Sequence, residues 1–202
     1  ARKMWALIMK KRFKTTNEKA MMCRFHTQTG GSTLTSEQPS NNIARTTIQA
    51  LSAVLGGTQS LHTNGFDEAL SLPSSHSAKV ALRTQQIIAY ETNISKYPDP
   101  FGGSYVIEEM TNNFVDNSLK IIDEIDKIGG ALEAIESGWM EGQISRSAYE
   151  YQKGIDDNSN IVVGVNQFAE DTLESEHTFQ INKKSVTEQI DSLYSYKKDR
   201  SK

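Results

Sequence analysis

Arg24-Phe25-His26-Thr27-Gln28-Thr29-Gly30-Gly31-Ser32 is the stretch whose reading decides the fold. The partly apolar run 21–26 suits a short buried strand, and the Gly/Ser/Thr-rich run 27–36 suits a loop. Side chains alternate along a strand, which places Arg24, His26 and Gln28 on one face. Downstream, Pro39 and Ser40 announce a helix with Ser40 as its N-cap. Ile43, Thr47, Ile48, Leu51, Val54 and Leu55 give that helix its inner face, and Gly56-Gly57 stops it. Residues 58–63 read as a second short strand, 67–72 as a short helix ended by Pro73, and 77–91 as a long amphipathic helix. Strand, helix, strand, helix at this spacing is the pattern of a parallel α/β sheet. Two strands alone leave open edges and an uncovered face. Further strands are therefore expected from another segment or another chain.

Upstream, residues 1–13 read as an amphipathic helix carrying Met4, Trp5, Leu7, Ile8 and Met9. That helix opens the chain without an initiator Met, so additional residues are expected before Ala1. After Tyr97-Pro98-Asp99-Pro100-Phe101-Gly102-Gly103 the pattern changes to helical. Helices are predicted over 105–128, 131–136, 141–153 and 186–196, with a strand-like run over 161–165. The expected organisation is an α/β region over 1–95, a helical extension over 96–168 and a polar tail over 169–202.

Composition narrows the function. Of 202 residues, 22 are basic and 25 acidic, and no Lys/Arg stripe follows a helix face, which argues against nucleic acid. No apolar run approaches the roughly 20 residues that span a bilayer. The lone Cys23 cannot form an intrachain disulfide, and a reducing compartment is expected. His26, His62, His76 and His177 are too scattered for a zinc site. The Gly pairs lack the strand-to-helix context of a phosphate loop.

Two segments remain. Arg24, His26 and Gln28 stand at a strand's carboxyl end, where parallel barrels place their ligands. A polar ligand would meet them there, with Gly30-Gly31 allowing close backbone approach; alternatively they satisfy one another and nearby carbonyls. At the second strand's end, Asn64 and Glu68 are one turn apart if a helix starts near Gly65. An amide and a carboxylate so placed suit a vicinal diol such as a ribose. The plainer account, which the residues alone favour, is that Asn64 caps a helix and Glu68 complements its dipole.

Several of these segments, in order, resemble the methylmalonyl-CoA mutase family. The likeness is carried by Arg24 through Thr35, Asn41-Asn42-Ile43-Ala44-Arg45-Thr46, Gly56 through Asn64, Arg83 through Glu91 and Asp99 through Tyr105, and extends to Gly164-Val165-Asn166. The resemblance implies the last strands and helices of a (β/α)8 TIM barrel, followed by a mostly helical C-terminal extension. It implies a barrel threaded by the pantetheine arm of an acyl-CoA and capped by adenosylcobalamin. There an adenosyl radical abstracts substrate hydrogen, and a thioester carbonyl group migrates to the adjacent carbon. By motif position, His26, Gln28 and Gln59 would contact substrate. Gly31 would pack against the corrin, and Asn64 and Glu68 would hold the adenosyl ribose. No catalytic residue and no metal ligand is assigned to this chain. The Asp-x-His-x-x-Gly signature of the cobalamin domain does not occur in it. The remaining barrel segment and a cobalamin-binding domain or subunit are thus expected partners, in the cytoplasm or the mitochondrial matrix. The chain alone is expected to be inactive. A non-catalytic barrel remnant serving assembly is the alternative, and an autonomous CoA-binding protein a weaker one.

Overall fold

The computed structural model describes residues 1–170 and 181–200. Its elements are helices α1 (Arg2–Lys11) and α2 (Glu18–Met21), strand β1 (His26–Gln28), α3 (Asn41–Leu55), strand β2 (Ser60–His62) and α4 (Ser75–Glu91). They are followed by α5 (Tyr105–Ile128), α6 (Ala131–Glu136), α7 (Trp139–Asp156) and α8 (Lys183–Asp199). The fold is α/β, mostly helical, with a small parallel sheet. β1 pairs β2 in the register His26–Ser60, Thr27–Leu61 and Gln28–His62.

The sheet separates two environments. Thr27 and Leu61 are half-buried, whereas His26, Gln28, Ser60 and His62 are exposed. Leu61 lines a hollow with Val54 of α3 and Ile88 of α4, so this face meets the helices. The core beneath holds Ala50, Ala81 and Ile88, all buried. The polar side chains point the other way, off the sheet.

Polar bonds seat α3. Asn42 is fully buried, and its Nδ2 donates to the carbonyls of Thr35 at 2.8 Å and Phe66 at 2.9 Å. Its Oδ1 accepts from Thr35 N at 3.1 Å and from Arg45 Nη1 at 2.7 Å. One amide thus ties the loop after β1, the start of α3 and the loop after β2. The same region receives the far end of the helical extension. Arg45 Nη2 donates to Val163 O at 2.7 Å, and Gln38 Nε2 donates to Phe168 O at 2.9 Å. Gly164 permits this docking: at φ +84°, its missing Cβ would meet Gln38 Oε1 at 3.1 Å.

At the other end α1 lies along α5. Arg12 makes a paired contact to Asp126 at 2.8 and 3.1 Å, and the Lys3 ammonium donates to Asn112. The Asp126 carboxylate raises the Arg12 pKa further above its ordinary value. Both partners are solvent-exposed, so the pair fixes direction more than it stabilises.

Several sequence expectations are corrected. Residues 18–21 wind into α2, with the Asn17 side chain accepting from Lys19 N, and the strand begins only at His26. Arg24 therefore precedes the strand. Ser40 stands at the start of α3 with helical backbone angles and makes no side-chain capping bond. Instead α3 is entered through a series of turns, in which Asn41 N and Asn42 N donate to Gln38 O and Pro39 O. A serine cap stands instead at α4, where the Ser74 side chain accepts from Ser77 N. Residues 67–72 form turns rather than a helix, because Leu70 N and Ser71 N both return to Asp67 O and the ladder goes no further. The apolar run 161–165 makes one isolated bridge, Val163 to Gln167, instead of a strand. Asn166 holds it as a turn, accepting from Val162 N and donating to the carbonyls of Ile155 and Asn160. Part of the 169–202 tail, residues 171–180 and 201–202, lies outside the described residues.

Two outcomes are expected. Asn42→Ala leaves buried backbone groups unpaired at about 1–3 kcal/mol each, so the urea midpoint should fall steeply in equilibrium unfolding. Asp157, after α7, accepts from Ser159, and these hydrogen bonds lower its carboxyl pKa. A depressed folded pKa gives a contribution that is complete above the ordinary carboxyl value and lost as pH falls through the folded value. An NMR titration should show the Ser159 amide losing its downfield shift only on that acid limb.

Candidate functional site

The carboxyl ends of β1 and β2 are extended by two further bonds. Thr29 N donates to His62 O at 3.1 Å, and Asn64 N donates to Thr29 Oγ1 at 3.0 Å. The chain after β2 is then held from below. Thr63 Oγ1 donates to Ala81 O at 2.7 Å and accepts from Gln85 Nε2 at 3.0 Å. Phe66 is buried edge-on against His76, with ring centroids 5.8 Å apart. Residues 63–66 therefore have little freedom, and Asn64 inherits a fixed position.

On this frame three residues converge from two loops. A Cβ on Gly31 would lie 2.8 Å from Asn64 Nδ2 and 3.1 Å from Glu68 Oε1. Asn64 is 3% exposed, and its Nδ2 has no hydrogen-bond partner. A buried donor left unpaired is costly and calls for an explanation. Its Oδ1 accepts from Gln28 Nε2 at 3.4 Å, so the amide does not cap a helix, and no helix starts there. The cap reading is thereby replaced. What stands at the end of the sheet is an amide donor without a partner, an exposed carboxylate beside it and a glycine against which both pack too closely for a Cβ.

The open sheet face adjoins this cluster. His26 Nδ1 and Ser60 Oγ are 2.7 Å apart across the register pair, and Gln28 lies opposite His62. His26, Gln28, Gly31, Asn64 and Glu68 are thus brought to one side of the structure. Gln59 is not. It precedes β2 at the amino end of the sheet, where Oε1 accepts from Phe25 N at 2.7 Å and Nε2 donates to Gly57 O at 2.9 Å. Both ends of that amide serve the backbone. Sequence reasoning passed over Ser60 and His62. Period-2 alternation put them on one face of β2, but only the parallel register shows that it is the face of His26 and Gln28. Among the described residues, no group of three or more His, Cys, Asp or Glu could hold a metal ion.

The sequence model described as "Methylmalonyl-CoA mutase" matches residues 1–202. The chain belongs to the methylmalonyl-CoA mutase family. The match includes the tail beyond Asn166, farther than the motifs alone reached. The chain is 44% identical to the mitochondrial methylmalonyl-CoA mutase of Bos taurus, over 98% of its length and 27% of that protein. It is 44% identical to the probable mitochondrial methylmalonyl-CoA mutase of Caenorhabditis elegans, over 94% of its length and 25% of that protein. It is 47% identical to the 2-hydroxyisobutanoyl-CoA mutase large subunit of Aquincola tertiaricarbonis, over 84% of its length and 30% of that subunit. The chain thus spans between a quarter and a third of the length of these mutases. Among the described residues, no helix is long and apolar enough to cross a membrane.

The cradle geometry makes a paired prediction. Gly31→Ala forces its methyl onto the buried end of Asn64, an overpacking cost of about 1–3 kcal/mol. Gly30→Ala, whose Cβ would meet nothing nearer than 3.6 Å, should be tolerated. Urea unfolding of the two variants side by side distinguishes them, as does displacement of the Asn64 side-chain amide resonance in Gly31→Ala alone.

Proposed function

We propose that this chain forms the closing part of the (β/α)8 barrel of an adenosylcobalamin-dependent acyl-CoA mutase, with Asn64 and Glu68 holding the ribose of the adenosyl group. The observation that carries this reading is the unpaired, buried Nδ2 of Asn64 beside the Glu68 carboxylate, opposite a glycine. A ribose presents two adjacent hydroxyls, each able to donate and accept. One would accept from Asn64 Nδ2, relieving the unpaired donor, while the other donates to Glu68. The residues present therefore fit the group that the family uses. When bound, adenosylcobalamin supplies the one-electron chemistry of a 1,2-rearrangement of the carbon skeleton, of the methylmalonyl-CoA to succinyl-CoA type.

The chain's own residues bind, orient and shield. The open face of β1 and β2 offers His26 and Gln28 to the acyl-CoA, with Ser60 fixing the His26 ring. Gly31 leaves room for the corrin to approach the loop. Gln59 acts at most from the amino end of the sheet unless its two backbone bonds are exchanged for substrate. The unpaired strand edges are completed by the remaining barrel segment, and a cobalamin-binding domain or subunit closes the carboxyl face. The mitochondrial matrix suits a eukaryotic source, by analogy with the names of the relatives from cattle and nematode; the cytoplasm suits a bacterial one.

Reassembly tests this reading. The purified chain is combined with polypeptides covering the rest of the relatives' length and adenosylcobalamin, and succinyl-CoA formation from methylmalonyl-CoA is followed. The chain alone should not turn over, and the assembly should. Asn64→Ala with Glu68→Ala should weaken adenosylcobalamin roughly tenfold to a hundredfold, from lost neutral and charged hydrogen bonds. An assembly that forms normally but keeps its full rate with both residues replaced would instead mark the chain as a non-catalytic scaffold.

A further inference from the structure

We infer that Gln49 of α3 is the positioning residue of the Asn64–Glu68 cradle, acting through the Gly30–Gly31 turn; this rests on the ribose reading above. Gln49 touches neither Asn64 nor Glu68 in any hydrogen bond. Instead its Oε1 accepts from Gly30 N at 2.6 Å, and its Nε2 donates to Thr33 Oγ1 at 2.7 Å. Thr33 Oγ1 in turn donates to Gly30 O at 2.6 Å. The three bonds close a ring that grips Gly30 by its N–H and its carbonyl together.

That grip has a fixed origin and a specific target. The neighbours of Gln49 on the inner side of α3, Ala50 and Thr46, are buried at 0% and 3% exposure, so the helix cannot shift to follow the loop. Downstream of Gly30 lies a single 3-10 turn, Gly31–Thr33, closed by Thr33 N to Gly30 O and Leu34 N to Gly31 O. A turn this short has no ladder of its own to hold it. Gly31, its first residue, is the wall of the cradle, 2.8 Å from Asn64 Nδ2 measured from where a Cβ would stand. Releasing Gly30 lets this wall drift and changes the separation at which a diol must fit between the loop, the amide and the carboxylate. An amide at position 49 reaches both the backbone donor and the Thr33 hydroxyl. An apolar side chain of equal length reaches neither.

The test uses the reassembled mutase without cobalamin, titrated with adenosine and with 2′,3′-dideoxyadenosine by calorimetry. Dideoxyadenosine keeps the base and lacks the diol. The unmodified assembly should prefer adenosine, and Asn64→Ala with Glu68→Ala should abolish that preference. Gln49→Met should weaken adenosine roughly three- to tenfold, the worth of a displaced hydrogen-bonding geometry, and leave dideoxyadenosine within twofold. Gln49→Glu, which keeps an acceptor for Gly30 N, should restore the preference. In parallel, the Gly30 amide resonance should move upfield in Gln49→Met and return in Gln49→Glu. If Gln49→Met lowers thermal stability yet retains the full preference for the diol, its role is only structural and the inference is overturned while the ribose reading stands. If the unmodified assembly shows no diol preference, the ribose reading falls and takes the inference with it.

Discussion

The arrangement of the sheet and its polar face depends on three residue pairs. The parallel register of His26 with Ser60, Thr27 with Leu61 and Gln28 with His62 decides which side chains share a face. A shift of one residue would turn the polar set into the helices and Leu61 out of them. The register is held by more than the ladder. Gln59 N and the Gln59 side chain bond to Phe25 at the amino end, and Thr29 and Asn64 lock the carboxyl end. So short a sheet has few bonds of its own, and side-chain ties at both ends supply the rest.

The same constraint explains what the surface exposes. Strand edges carry unpaired backbone groups, and parallel sheets are normally covered on both faces. Here one face carries His26, Gln28, Ser60 and His62 in the open. Large apolar side chains are exposed along the extension as well, with Tyr105 at 83%, Phe114 at 69% and Leu132 at 70%. Contiguous exposed apolar surface marks contact with other polypeptide or ligand.

The site is assembled at the point where the chain is least free. Asn42 and Thr63 nail the loops from beneath, while Gln49 and Gly31 shape them from above. Only after those ties does an unpaired amide nitrogen beside a carboxylate become informative. A buried donor on a mobile loop would rotate to find a partner. On a fixed loop it stays unpaired.

The long helices were legible in the sequence because apolar spacing and Gly stops are local signals. α3, α5 and α6 end where Gly56, Gly129 and Ser137-Gly138 stand, and the βαβα order followed from the same spacing. Motif order alone was also enough to place the chain in its family. What the sequence could not determine was the start of β1: the run 21–26 reads as a strand, but the Asn17 cap winds 18–21 into α2 and the strand starts only at His26. Nor could it show that Asn64 caps no helix and keeps its Nδ2 unpaired, or that Gln59 bonds backbone while Ser60 and His62 join His26. Those outcomes depend on register and on contacts between residues more than thirty positions apart, such as Asn64 with Thr29 and Gln28. Local composition fixes the period of each element; only tertiary packing fixes how two elements are phased against each other.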